Sequence, residues 1–152
     1  MSFYQGLYKL TDLVQNIKIH EENDDAVIGN YEVSSKNRQT GFNFIEIKQS
    51  TERPFSIFIN SLNMIVNVGK NIQKDQESKI RNFYKEEISD IIGTNTQFEI
   101  QKKEQSVIFI LKASIPVLGE VTDSENILTP QIKIMLDTQD RILKFLSNLF
   151  KK

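Results

Sequence analysis

The spacing of apolar residues switches repeatedly between a helical and an extended period along this chain, and each switch bounds an element. Phe3, Leu7, Leu10, Val14 and Ile17 step by four and three, the spacing of one helix face, and Tyr4 and Tyr8 widen the stripe. The charged run HEENDD over residues 20–25 ends that helix and leads to a strand. Alternation takes over with Val27, Tyr31 and Val33 on one face, and the turn formers SSKNRQTG follow over 34–41. In FNFIEIKQ, Phe42, Phe44 and Glu46 share one face and Ile45 and Ile47 the other. Alternation slips here, and a bulge near Ile45 would bring Phe42, Phe44 and Ile47 together. After a turn at STERP, Phe55, Ile57 and Ile59 alternate, and then Leu62, Met64, Val66 and Val68 share a face. Residues 55–68 read either as one long bent strand or as a hairpin around 60–63.

Helical spacing returns from a start near Asp75, with Ile80, Phe83 or Tyr84, Ile88 and Ile91 as the stripe and Gly93 as the stop. TQFEIQ and SVIFILKASI, separated by a KKEQ turn at 102–105, form a hairpin pattern. In the last helix Thr129 is the expected cap and Pro130 the first helical residue. Ile132, Met135, Leu136, Ile142, Leu143, Leu146, Leu149 and Phe150 supply its apolar side, and Asp140 and Lys144 form a favourable pair four residues apart. The expected fold is therefore α+β, an antiparallel sheet with helices on one face, in the order α-β-β-β-α-β-β-α with an extra strand possible in 55–68. A chain of 152 residues fits one domain, 1–152, and needs no metal or disulfide staple.

Chemistry is sparse. The chain has no Cys, which excludes disulfides, thiolate nucleophiles and Cys-ligated metals. The single histidine, His20, has only carboxylate neighbours in a connecting segment, in no calcium-loop spacing, so no metal site is expected. Glu86 and Glu87 are adjacent and point about 100° apart, too divergent for paired acid–base work. Glu87 falls at the edge of the second helix's stripe and reads as an interfacial side chain with its head in water. The glycines are spread singly, with no phosphate-cradling loop and no GxSxG elbow, and nothing in the spacing groups Arg38, Arg53, Arg81 and Arg141. No cofactor is implied, and a non-catalytic protein is expected. With 19 basic and 20 acidic residues there is no basic excess for nucleic acid. No run is long enough to span a bilayer, and MSFYQGLYKL lacks the features of a signal peptide, so a soluble, cytoplasmic protein is expected.

Several strands carry apolar residues on both faces. Ile45, Phe58, Ile65, Ile108 and Ile110 fall behind the residues expected to face the core. A sheet covered on one side only should alternate cleanly. These five are therefore the candidate contact residues for a second copy or a protein partner, set against a bulge, a wrapping helix or ordinary exposed isoleucine. An apolar small molecule lodged among Phe42, Phe44 and Phe98 is a further reading, and HEENDD offers an acidic patch for one folded partner, as an immunity protein would use.

The C-terminal stretch SVIFILKASIPVLGEVTDSENILTPQIKIMLDTQDRILKFLSNLF resembles the closing module of the YbjN-like proteins and of the type III secretion chaperone-like fold. There a strand and short loop lead to "LTP" (here Leu128, Thr129 and Pro130) opening a long final helix. The preceding helix over 78–92, its glycine and the TQFEI strand are similar too. The resemblance implies a chaperone- or adaptor-like homodimer that holds a partner segment extended along apolar patches, or a regulatory role. The near-neutral charge departs from the acidic balance usual in such chaperones, and no binding residue carries over.

Overall fold

The computed structural model describes residues 3–35, 38–67, 72–88, 96–103, 106–118 and 124–150. A 3-10 helix, Phe3–Lys9, is followed by strands β1 (Val14–Glu22), β2 (Ala26–Ser35), β3 (Arg38–Ile47) and β4 (Phe55–Asn67). Helix α1 (Lys74–Phe83) continues into a π-helical turn, Tyr84–Ile88, and then come β5 (Thr96–Lys103), β6 (Ser106–Leu118) and helix α2 (Ser124–Leu149). The strands form one six-stranded sheet in the order β1-β2-β3-β4-β6-β5. This is the expected α+β class and element order, with four strands before the middle helix.

The N-terminal helix is shorter than its spacing predicts. Only Phe3–Lys9 is helical, and Val14–Glu22, expected as the end of the helix and its charged exit, pairs with β2 as a strand. Val14 lies opposite Val33, and β-branched Ile17 and Ile19 are half-buried, so strand pairing outweighs the local helical spacing. Register shifts between Gln15 and Lys18 and between Ile19 and Glu21 let β1 follow β2 despite the mismatch. Asn16 takes a left-handed backbone at φ 55 within the first of them.

β2 and β3 pair without a break from Ala26↔Ile47 to Ser35↔Arg38, so the anticipated bulge at Ile45 is not there. The alternation looked irregular because Glu46 occupies a core position: Thr40, Phe42, Phe44 and Glu46 are all buried. β4 is one strand, not a hairpin. Its register with β3 sets Phe58, Asn60 and Leu62 opposite Glu46, Phe44 and Phe42, on the core side. A buried Asn at the middle of that series is what broke the apolar pattern.

α1 begins at Lys74, one residue before the expected start, and the Gln76 side-chain carbonyl oxygen accepts the Gln73 N–H at 2.9 Å. The proposed stop, Gly93, lies outside the described residues. α2 begins at Ser124 rather than at Thr129, which leaves Pro130 inside the helix and the Asn126 carbonyl without its i+4 donor. Burial of Ser124 and Leu128 on the line continued by Ile132 draws the early turns into the helix, while Pro130 stays exposed.

By packing, the chain divides into two compact units. Met1–Leu62 with Lys112–Gln131 forms one, and Asn63–Leu111 with Ile132–Lys152 the other. The first has an aromatic core, with Tyr31 stacked on Phe42 at 5.3 Å, Phe44 on Phe58 at 5.7 Å and Phe3 tilted against Phe58 at 5.1 Å. Gly29 lies beneath the Phe44 ring, and a side chain there would meet that ring at 2.8 Å. The second unit gathers Met64, Ile72, Ile80, Ile88, Phe109, Ile142 and Leu146, with Phe83 stacked on Phe145 at 4.1 Å. Among the described residues no helix is long and apolar enough to cross a membrane.

Candidate functional site

In the first unit the side of β2, β3 and β4 turned away from the core carries isoleucines in register. Ile28, Ile45 and Ile59 lie directly opposite one another in one cross-strand row. Ala26, Ile47 and Ile57 form the next row, and Asn30, Asn43 and Ser61 the row on the other side. Ile28 keeps 37% and Ile45 39% of their surface exposed, while Ile47, Ile57 and Ile59 are half-buried. Neighbouring strands lie about 4.8 Å apart, so these side chains touch and form a continuous aliphatic strip with a polar border. At that border Glu32 accepts hydrogen bonds from Asn16 Nδ2 at 2.8 Å and Gln39 Nε2 at 2.5 Å.

The expected contact residues divide accordingly. Ile45 stands on the open side and is exposed. Phe58 does not: it is 0% exposed in the aromatic core, and its neighbours Ile57 and Ile59 take the outer positions it was assigned. The β3–β4 register places Phe58 opposite Glu46, so its parity is that of the core. In the second unit Ile65 is 72% exposed, and Ile108 and Ile110 are half-buried on the side opposite Phe109 and Leu111. Of the open-face residues, sequence reasoning left out Ile28 and read Ile57 and Ile59 as core-facing. For Ile28 and Ile59 a signal was present, since each lies two residues from a polar position on the same face, Asn30 and Ser61, whereas Ile57 has Phe55 and Ile59 at that spacing.

Two buried polar groups stand out on the core side of the first unit. The Tyr31 hydroxyl donates to Asn60 Oδ1 at 2.6 Å, and Asn60 Nδ2 donates to Gln131 Oε1 at 3.3 Å. Burial raises the Tyr31 phenol far above its ordinary value, partly offset by that bond to Asn60. Glu46 is 1% exposed. Its two oxygens accept the N–H groups of Phe3, at 3.0 Å, and Tyr4, at 2.7 Å. Burial raises its carboxyl above the ordinary range, opposed by those two N–H groups and by the nearby Lys48 ammonium. Both groups engage their polar atoms inside the protein and hold elements together.

The remaining candidates show no converging chemistry. His20 is exposed on β1. Glu22 is engaged by Lys48 at 3.5 Å and by the Tyr4 hydroxyl at 3.2 Å. Glu86 and Glu87 are both exposed on the π-helical turn. Arg53 donates to the carbonyls of Phe55, at 3.0 Å, and Lys48, at 2.5 Å, and Arg81 pairs with Glu77 at 3.1 Å. Among the described residues no group of His and acidic side chains has a metal-holding arrangement. Phe42 and Phe44, offered as the lining of a ligand cavity, are 1% exposed and packed on Tyr31, Tyr4 and Phe58. The side chain of Phe98 lies outside the described residues.

No protein-family model matches the chain, and no curated protein matches it in sequence. Among solved structures it is similar to TTHA0849 from Thermus thermophilus, at 9% identity over 96% of this chain and 81% of that one, with a TM-score of 0.32. A likeness at that level carries neither fold nor function across.

Proposed function

We propose that the protein is a non-catalytic, cytoplasmic protein-binding module that holds a short apolar segment of a partner against the open side of β2, β3 and β4. The observation that carries this reading is the in-register row Ile28–Ile45–Ile59, with two of its members more than a third exposed. Leaving such a strip in water is unfavourable in every free molecule, so covering it with aliphatic side chains is favourable. Its size selects the occupant. A stable dimer buries roughly 20–30 residues a side, and in this unit the strip offers five part-exposed isoleucines. That suits a short segment with one aliphatic face better than a second copy. The resemblance in element order to secretion chaperones, which hold partner segments along apolar patches, supports the same reading.

The test is selection from a library of short peptides displayed singly. Enriched sequences are expected to carry aliphatic residues on one face, and their chemical-shift changes should fall on residues 26–30, 43–47 and 57–61. The double substitution Ile28→Ser, Ile45→Ser is expected to weaken binding by about 1–2 kcal/mol, roughly tenfold, without loss of folding. Selected peptides that map to another surface, or that bind the double variant equally well, would sink the proposal. A concentration-dependent dimer that the same substitutions dissociate would replace the peptide with a second copy of the chain.

A further inference from the structure

The open face of the first unit differs in its two directions along the strands. Beyond the row Ile28–Ile45–Ile59 lies the polar row of Asn30, Asn43 and Ser61, and beyond that Glu32 stands opposite Gly41 across the β2–β3 pair. Glu32 is half-buried, and the side-chain amides of Asn16 on β1 and Gln39 on β3 both donate to its Oε2, at 2.8 Å and 2.5 Å. That oxygen has two lone pairs, and the two amides take both. The other oxygen, Oε1, accepts no hydrogen bond among the described residues. Lys18, exposed one row away opposite Asn30, does not pair with it. The amides from both neighbouring strands therefore fix the orientation of the carboxylate and leave one oxygen open. Beside it, a Cβ built on Gly41 would meet nothing within 4 Å, so the approach from the β3 side is clear.

We propose that the segment held on this face is an amphipathic α-helix whose aliphatic side covers the isoleucine rows and whose lysine, about two turns along, pairs with Glu32 Oε1. This rests on the reading of the open face given above and names its occupant. The helix follows from where the strip lies. β2, β3 and β4 each have a strand on both sides, so no backbone edge there is open to an extended segment. A segment pressed onto the face must satisfy its own N–H and C=O groups, as a helix does. Three strands span about 10 Å, the width of a helix. The two isoleucine rows lie about 7 Å apart along the strands, close to the separation of side chains four residues apart on a helix. Glu32 is four residues from Ile28 on β2, about 14 Å away. Two helical turns cover about 11 Å, and the lysine side chain spans the rest. Lysine suits this carboxylate better than arginine does. A guanidinium fork binds best to two oxygens, and Oε2 is already saturated, whereas an ammonium needs only one.

The probe is a labelled helical peptide of about fifteen residues, held by a side-chain bridge, with leucines four residues apart and a single variable position two turns beyond them. Fluorescence titration against the full chain gives its affinity, and the amide shifts of Ile28, Ile45 and Ile59 locate it. With lysine at the variable position the peptide is expected to bind about two- to fivefold more tightly than with glutamine, and the gap should narrow as salt is added. Arginine there should do no better than lysine. In Glu32→Gln the gap should vanish. Gly41→Val, for which the space is open, should remove it too by standing in front of Oε1. A peptide broken by a central proline should bind at least about tenfold more weakly. Lysine and glutamine peptides that bind the isoleucine rows equally well would overturn the proposal and leave the reading of the face standing. A lysine advantage that persists in Glu32→Gln, or a proline-broken peptide that binds as well as the bridged one, would overturn it in the same way. Peptides that move none of the three isoleucine amides would overturn both.

Discussion

Phe58→Ala is expected to destabilise the protein by about 3–5 kcal/mol, and Ile59→Ala, one residue along the same strand, by less than about 1 kcal/mol. The contrast follows from parity. Phe58 is fully enclosed between Phe3 and Phe44, so its removal leaves a cavity and breaks two ring contacts. Ile59 faces outward and is already half in water. Native domains are stable by roughly 5–15 kcal/mol, so the first substitution removes a large share of that margin. Urea denaturation of both variants checks the difference. Equal losses would mean that the assigned register of β4 on β3 is wrong.

The second large effect concerns the buried Tyr31–Asn60 pair. Tyr31→Phe is expected to cost about 1–3 kcal/mol, because Asn60 Oδ1 loses its hydroxyl donor in a place water does not reach. Asn60→Leu should cost at least as much, since it strands the Tyr31 hydroxyl. The double variant is expected to cost less than the sum by at least about 1 kcal/mol. An apolar pair of similar shape leaves neither group unpaired, and Gln131, half-buried, can turn to solvent. Additive losses in a urea double-mutant cycle would show that the two side chains act separately.

These two sites also explain which parts of the structure were legible in the sequence. Strands that bury only apolar residues were read with the right parity, as with Val27, Tyr31 and Val33 in β2. Where a polar side chain takes a core position the pattern misled. Glu46 suggested a bulge near Ile45, and Asn60 left open whether 55–68 is one bent strand or a hairpin around 60–63. In both cases the partner that makes burial tolerable is distant in sequence: Phe3 and Tyr4 for Glu46, and Tyr31 and Gln131 for Asn60. A local period cannot show such partners. Phe58 was misplaced because Phe55, Ile57 and Ile59 alternate and read as the core-facing set, which put Phe58 behind them. β1 failed for another reason. Its steps of four and three are compatible with a helix, and only pairing with β2, through irregular register, makes it a strand. The open face was legible in kind and partly in identity: Ile45 and Ile65 were found, while Ile28, Ile57 and Ile59 emerged only once register was known. The early start of α2 was hidden by Thr129–Pro130, which is good helix-start chemistry placed inside a helix.

The irregular outer strand has a consequence for how molecules of this kind coexist at high concentration. β1 ends the sheet on one side, where a regular strand would offer a ready row of backbone donors and acceptors to the next molecule. Its two register shifts, the left-handed backbone at Asn16 and the exposed Lys18, His20, Glu21 and Glu22 spoil that row for an incoming strand. A protein that leaves an isoleucine strip in water is at risk of growing sideways into cross-β fibres. On the β1 side this one is built so that stickiness of the face does not become polymerisation along the edge.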